Sequence, residues 1–278
     1  MNATIEEFLE RVEKAPLSAL LLDYDGTLAP FSEDRARAVP YAGVVEVLRE
    51  ILHQGRTRVV IVTGRDARQV GPLLGLGRCL EVWGVHGLQR LLPDGICQMP
   101  SVPMEVAQIL EAAKRWLGYQ GLLGRAEIKP ASIAIHWRAL GENEAAELRA
   151  KILLGWSRIA DGSGLKLLDF DGGVELRMAG LDKGDAVRTI REEVGPEVPM
   201  AYLGDDTTDE HAFRALEGGG LTALVRPRPR RTAARVWLRP PEELLQLLTN
   251  WSQVTAHGAP PSYAVGASES LRRPHART

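Results

Sequence analysis

Two short segments about 180 residues apart each run from apolar residues into clustered carboxylates: Leu20-Leu-Leu-Asp-Tyr-Asp-Gly-Thr-Leu28 and Tyr202-Leu-Gly-Asp-Asp-Thr-Thr-Asp-Glu210. A parallel strand buried on both faces reads as a continuous apolar run, and open α/β sheets bind ligands at the carboxyl ends of their strands. Asp23, Asp25, Asp205, Asp206 and Asp209 are therefore expected to converge on one rim of one sheet. Carboxylates gathered this way repel one another unless a cation sits among them, and all-oxygen ligation suits a hard ion such as Mg²⁺.

The segment Asp23-Tyr-Asp-Gly-Thr27 opens like a calcium loop. Such a loop needs glycine at its sixth position, which here is Leu28, and a helix on either flank, where this sequence reads as strand and loop. A different division of labour fits better. Asp23 can attack a phosphoryl group and hold it as an aspartyl phosphate. Asp25 can protonate the leaving alkoxide, then take a proton from the hydrolytic water. Gly26 permits a sharp departure from the strand, and Thr27 is expected to orient Asp25 through a hydrogen bond. A carboxylate about 4 Å from a phosphate dianion is repelled by roughly 8 kcal/mol at an effective dielectric of about 20. Mg²⁺ would remove most of that repulsion, and one further positive group should stabilise the transferring oxygens.

Lys183, in Gly180-Leu-Asp-Lys-Gly184 at the start of a helical segment, suits that last role. Taken alone it reads as a solvated surface charge; its place between the other motifs argues for the site. Thr63, Gly64 and Arg65 follow the apolar run Val59-Val-Ile-Val62 and offer a hydroxyl, free N–H groups and a guanidinium at the same rim.

These residues need a scaffold of alternating elements. Strands are expected at 17–22, 58–62, 79–83, 199–203 and 221–225, and helices at 43–53, 66–74, 183–194, 209–216 and 241–251. Alternation of this kind predicts an α/β fold with a doubly wound, Rossmann-like parallel sheet. Between 99 and 178 the pattern becomes helix (104–117), strand (132–138), helix (142–154), strand (165–170), which reads as a small α+β domain inserted into the larger one. The expected division is a core of 1–98 and 179–252, the insertion 99–178, and a tail 253–278 with the composition of disorder.

Composition narrows the partners. The 278 residues are 45% hydrophobic and 25% charged, as in an ordinary soluble protein, and a net charge of -2 gives no general pull toward nucleic acid or anionic membrane. The run Arg226-Pro-Arg-Pro-Arg-Arg-Thr-Ala-Ala-Arg235 has no interleaved aromatics and reads as a solvated loop. Two cysteines without metal spacing fit a reducing compartment, no leader is apparent, and no apolar stretch is long enough to span a membrane, so a cytoplasmic location is expected. The N-terminus reads as an amphipathic helix with Ile5, Phe8, Leu9 and Val12 on one face and a capping box from Thr4 and Glu7.

In this order the four pieces, from Asp23-Tyr-Asp-Gly-Thr27 through Thr63 and Lys183 to Gly204-Asp-Asp-Thr-Thr-Asp209, resemble the haloacid dehalogenase superfamily of phosphatases. The gap between Thr63 and Lys183 matches the type with an α/β cap inserted there. Within that superfamily, residues 17–250 resemble the trehalose-6-phosphate phosphatases, through Asp23 to Pro30, Thr63-Gly-Arg65, Gly84-Val-His-Gly87, Glu127-Ile-Lys129 with His136-Trp-Arg138, Val174-Glu-Leu-Arg177, Asp182-Lys-Gly184 and Gly204 to Glu210. The resemblance implies hydrolysis of trehalose 6-phosphate, with Mg²⁺ on the side chains of Asp23 and Asp205 and the backbone carbonyl of Asp25. Asp206 and Asp209 would stand behind those ligands, fixing them and Lys183. It implies sugar contacts from Glu127, Lys129 and Glu175, each of which could equally be an ordinary charge on a strand face. His86, at the rim after the third strand, is either a substrate contact or a buried, hydrogen-bonded histidine; His136 is unassigned. Gln89 departs from the family's usual acidic residue, which leaves the sugar preference open. Sister phosphatases acting on sucrose phosphate or a glycosyl phosphoglycerate share the same core motifs, and a silent sugar-phosphate-binding domain is a further reading. Association with a trehalose-phosphate synthase is an implied partnership.

Overall fold

The structure, a computed structural model, describes residues 2–32, 38–77, 80–137, 140–170, 172–179 and 182–256. Strands β1 (Ser18–Leu22), β2 (Thr57–Val62), β3 (Glu81–Gly84), β4 (Gln89–Leu91) and β5 (Cys97–Gln98) come first. They are followed by β6 (Ala126–Lys129), β7 (Ser132–His136), β8 (Leu165–Phe170) and β9 (Gly173–Met178), then β10 (Met200–Gly204), β11 (Leu221–Val225) and β12 (Val236–Leu238). Two sheets result. One has eight strands in the order β12-β11-β10-β1-β2-β3-β4-β5, parallel from β12 to β3 and antiparallel at the β4–β5 edge. The other is antiparallel with the order β6-β7-β9-β8.

Helices α1 (Ala3–Lys14), α2 (Val44–Gln54) and α3 (Ala67–Leu74) precede the smaller sheet, α4 (Met104–Tyr119) and α5 (Glu142–Ala160) accompany it, and α6 (Lys183–Val194), α7 (Glu210–Ala215) and α8 (Glu242–Ala256) follow. One face of the large sheet buries Leu20, Leu22, Ile61 and Leu203 against α1, α2, α3 and α8. The other buries Leu21, Val60, Val62 and Tyr202 against α6 and α7. Covered on both faces, β1 is buried at every position, which is why it is apolar from Ala19 to Leu22. The α/β, doubly wound fold is as expected. In the small sheet Ile133, Ile135, Val174 and Leu176 face α4 and α5.

Several local expectations change. β4, β5 and β12 are only two or three residues long, too short to show a period of two, and β5 and β12 are the two edges of the sheet. Each strand expected in the insertion is half of a hairpin: β6 pairs with β7, and β8 with β9. Helix α5 runs on to Ala160 because Gly155 is a packing residue and not a stop; a Cβ there would collide with the Trp116 indole of α4. The 209–216 helix is a 3₁₀ turn, Thr207–Asp209, followed by α7. At the N-terminus Asn2, not Thr4, caps α1, its Oδ1 accepting from Thr4 N at 2.9 Å, while Ile5, Phe8, Leu9 and Val12 are buried as predicted. Residues 253–256 of the expected tail complete α8, and the remainder lies outside the described residues, as do Cys79 and Arg138. No helix among the described residues is long and apolar enough to cross a membrane.

Candidate active site

Strands β1 and β10 are immediate neighbours in register, Leu22 beside Leu203, so both carboxylate clusters leave the sheet at one place. Asp23 N donates to Leu203 O at 2.9 Å, which fixes the start of the Asp23 loop at the rim. Lys183 Nζ donates to Asp23 Oδ1 and to Asp209 Oδ1, both at 2.7 Å. Lys183 is aimed by the first turn of α6, where Asp182 caps the helix by accepting from Gly184 N at 2.8 Å and Asp185 reaches back to Asp182 N at 2.7 Å. Burial alone would lower the Lys183 pKa, but Asp209 and Asp23 outweigh it and raise it, so the ammonium is kept.

Asp209 and Asp205 have opposite surroundings. Asp209 Oδ1 accepts from Lys183 and from Tyr202 OH (2.5 Å), and its Oδ2 from Asp205 N (3.0 Å) and Asp206 N (2.9 Å). A carboxylate has about four lone-pair sites, so Asp209 is filled. Both oxygens of Asp205 are buried with no hydrogen-bond partner. Burial and then the Asp23, Asp209 and Asp206 charges push its pKa well above the usual carboxylate range, and burial pushes Asp23 up to about 7 despite Lys183. Asp23, Asp205 and Asp209 form a buried trio whose oxygens lie within 4.8 Å of one another. A metal ion fits this donor set: the orphaned oxygens of Asp205 and the underneutralised Asp23 are what a hard cation would satisfy, with Asp209 holding the backbone beneath. Gly26, at φ 89°, is required beside them, because a Cβ there would enter the Asp205 carboxylate.

Two expected orientations are corrected. Thr27 Oγ1 donates to Asp23 Oδ2 at 3.3 Å, and it is Arg65 that holds Asp25, with Nε to Oδ2 at 2.7 Å and Nη2 to Oδ1 at 2.5 Å. Arg65, expected as an open rim guanidinium, lies instead over the Tyr24 ring at 5.3 Å with its fork on Asp25. Thr63 is fully buried behind it, Oγ1 accepting from Arg65 N at 3.2 Å. The arginine run is a loop as expected but is not wholly solvated. Arg230 Nη2 donates to Asp206 O at 2.6 Å, Arg226 Nη1 to Asp205 O at 3.2 Å, and Arg230 Nη1 pairs with Glu210. The loop thus clamps the backbone that carries Asp205. Arg230→Met should cost about 2 kcal/mol in urea unfolding, since it strands buried carbonyls and a carboxylate. Arg231→Met, at an exposed position, should change stability by less than about 0.5 kcal/mol.

Above the cluster is an open pocket of ≈ 530 Å³ whose lining includes Asp23, Asp25, Gly64, Lys183, Asp205 and Asp206 on one side and Glu127, Lys129, Glu175 and His136 of the small sheet on the other. Glu175 Oε1 accepts from Lys129 Nζ at 3.0 Å and Ser132 Oγ at 2.7 Å. Its Oε2 lies 3.0 Å from His86 Nε2. Burial would raise Glu175, but Lys129, His86 and Ser132 outweigh it and hold its carboxyl well below the usual range. Burial lowers His86 to about 4, so the ring is neutral, and the Glu175 contact assigns the proton to Nε2. His86 reaches across because Val85 and His86 adopt φ 49° and 56°, a strained region for a β-branched residue, and because Gly64 leaves room for the ring, 2.6 Å from where a Cβ would sit.

Phe31, Phe170, Thr208 and His136 also line the pocket and were not among the expected site residues. His136 carried a usable signal: Ser132, Ala134 and His136 alternate with the buried Ile133 and Ile135, placing His136 on the pocket face, 3.1 Å from Glu127 Oε2. Phe31 follows a proline in a loop, with no periodicity to mark it. Gln89 lies away from the pocket: its Oε1 accepts from Ala67 N (2.9 Å) and its Nε2 donates to Asp66 Oδ2 (3.0 Å), securing the start of α3. The departure at Gln89 thus concerns helix anchoring.

The profile of the family described as Trehalose-phosphatase matches residues 21–233. A trehalose-phosphate phosphatase of Mycobacterium marinum is 31% identical over 224 residues, covering 76% of this chain and 54% of that protein, so the chain spans about half of that relative's length. The C-terminal domain of the C. albicans trehalose-6-phosphate phosphatase superposes with a TM-score of 0.77 at 20% identity, over 90% of this chain and 96% of that one. A haloacid dehalogenase-like hydrolase from Bacteroides thetaiotaomicron gives 0.61 at 15% identity, over 84% and 98%. These structural likenesses speak for the fold, and the matched profile runs from β1 to the arginine loop behind Asp205, taking in both carboxylate clusters and the small sheet between them. The chain belongs to the trehalose-phosphatase family.

Proposed function

We propose that this protein is a Mg²⁺-dependent phosphatase that hydrolyses trehalose 6-phosphate to trehalose and phosphate. The observation that carries the proposal is the two-sided pocket: a nucleophile, an ammonium and an unpartnered carboxylate at its floor, and hydrogen-bonding side chains of a second sheet facing them. In this reading residues 1–98 and 179–252 are the catalytic core and 99–178 a cap over it. Asp23 and Asp205 would hold the ion, with the backbone carbonyl of Asp25. Bound Mg²⁺ would supply positive charge against the phosphate oxygens and the nucleophile.

The side chains then do the rest. Substrate phosphate is gripped by Lys183, the Thr63 hydroxyl and the Gly64 N–H, which lowers the charge that Asp23 must approach. An Asp23 oxygen attacks phosphorus as the bond to the sugar oxygen breaks, and Asp25 gives that oxygen its proton. Arg65 fixes the direction in which Asp25 delivers it. Asp25, now a carboxylate, takes a proton from water; the water oxygen bonds to phosphorus and Asp23 leaves. Glu127, Lys129, Glu175 and His136 bind sugar hydroxyls, and His86, anchored to Glu175, ties this wall to the core rim.

Phosphate release from a panel of sugar phosphates, with and without Mg²⁺, tests the proposal. Highest kcat/KM on trehalose 6-phosphate, lost in EDTA, is the expected result; preference for sucrose phosphate or a glycosyl phosphoglycerate would replace the substrate, and metal-free activity would remove the ion. Lys129→Ala should lower kcat/KM for trehalose 6-phosphate by roughly 10- to 100-fold, the worth of a charged hydrogen bond. Turnover of p-nitrophenyl phosphate, which has no sugar, should fall much less; equal losses would assign Lys129 to folding or to the core chemistry.

A further inference from the structure

Antiparallel register lines up Lys129, Ser132, Arg177 and Lys166 in one row across the small sheet, and Glu127, Ala134, Glu175 and Leu168 in the next. Lys129 is neutralised within these rows by Glu175 at 3.0 Å and Glu127 at 3.7 Å. Arg177 and Lys166 make no such close pair, although the Glu175, Asp182 and Asp185 charges act on Arg177 from farther off. The two cations are direct cross-strand partners, the placement in which like charges destabilise a sheet, and neither has a hydrogen-bond or ion-pair partner among the described residues. Arg177 is only 8% exposed. A guanidinium carries five donors, and leaving all of them unmet at such burial costs free energy that a ligand would recover.

Both cations line an open pocket of ≈ 360 Å³, with Leu168, Asp182 and His211, separate from the pocket that holds Asp23. We propose that this second pocket is a binding site for a small tetrahedral oxyanion, of the phosphate or sulfate type, received by the Arg177 fork and the Lys166 ammonium. Asp182 is the carboxylate on the facing wall. Its Oδ1 is committed to capping α6, and its Oδ2 stands 3.8 Å from His211 Nδ1, a buried nitrogen with no hydrogen-bond partner. The walls therefore present two cations against one carboxylate, with the His211 ring beside it. Lys166 and Arg177 belong to the small sheet, while Asp182 and His211 belong to α6 and α7 of the large one. An anion here bridges the two sheets at the connection that leads into Lys183, and holds them at one spacing.

Thermal unfolding in EDTA at constant ionic strength, with sulfate replacing chloride, tests the site. Sulfate is kept in the low-millimolar range, below concentrations at which it stabilises proteins generally by exclusion. Wild type should gain about 3 °C with saturation at low sulfate. Arg177→Met should melt above wild type in chloride, because it removes an unpartnered buried cation, and should lose the sulfate gain. Lys166→Met, at an exposed position, should show a weaker form of both effects and keeps the test alive if Arg177→Met fails to fold. A wild type indifferent to sulfate, or the same gain in both variants, would overturn the site; Arg177→Met melting lower in chloride would show that Arg177 pairs with Asp182 in solution.

Discussion

Asp23→Asn should keep the fold and bind trehalose 6-phosphate, yet lose phosphate release by on the order of 10⁴-fold or more, because an amide cannot form the acyl phosphate. The fold should survive since the amide oxygen can still accept from Lys183, whose second partner Asp209 is untouched. Removing the carboxylate also removes a charge that burial and Asp209 both disfavour. Asp25→Asn separates the two half-reactions. With p-nitrophenyl phosphate the leaving group needs no proton, so the phosphorylated enzyme should form and then stall for want of a base, giving a burst of up to one product per chain. Arg65 can still donate to the amide oxygen and hold its position. Near wild-type turnover by Asp23→Asn would end the nucleophile assignment, and a burst-free, uniformly slow Asp25→Asn would end the division of roles.

Asp205→Asn should have opposite effects on stability and activity. In the metal-free protein the Asp205 carboxylate is buried and unpartnered, so its neutral replacement should raise stability by about 1–2 kcal/mol at pH 8, some 2–4 °C in Tm. Wild type should gain about 2.7 kcal/mol from Mg²⁺ at a hundredfold excess over Kd, and the variant little. Phosphatase activity should fall with that response. The pH dependence has a definite sign. Asp205 and Asp23 have folded pKa values raised above the ordinary carboxylate, Asp23 to about 7, so between pH 4 and 7 the native state holds more protons than the unfolded one. Metal-free stability should therefore decline across that window as pH rises, and the stabilisation by Mg²⁺ should grow. Melting curves in EDTA and in Mg²⁺ at pH 5 and pH 8 decide this; a Mg²⁺ effect that is the same at both, or undiminished in Asp205→Asn, would place the ion elsewhere.

What the chain says without its structure is where the backbone goes. Strand β1 is buried on both sides, so Ser18 to Leu22 must be nearly all apolar, and the first carboxylates after it must stand at the rim. The same holds for β10 and Asp205. Burial of a repeating backbone is encoded locally, over five or six residues, and can be read there; Asp182 ahead of Lys183 announces the start of α6 in the same way. Short strands such as β4 and β12 carry too few residues for any period to show.

Partner choice among the polar side chains was decided only by tertiary structure. Thr27 lies two residues from Asp25 yet serves Asp23, while Asp25 is held by Arg65 from forty residues away. Asp205 and Asp209, four residues apart and chemically identical, differ completely: one accepts four hydrogen bonds and the other none. Arg230 looks like its neighbours in a basic run, yet its guanidinium is the one that donates to Asp206 O at 2.6 Å and pairs with Glu210, while Arg231 is exposed. The reason is range. A hydrogen bond is settled within about 3 Å by how distant elements pack, and any of several like residues could make it, so the pattern of residue types leaves the choice open.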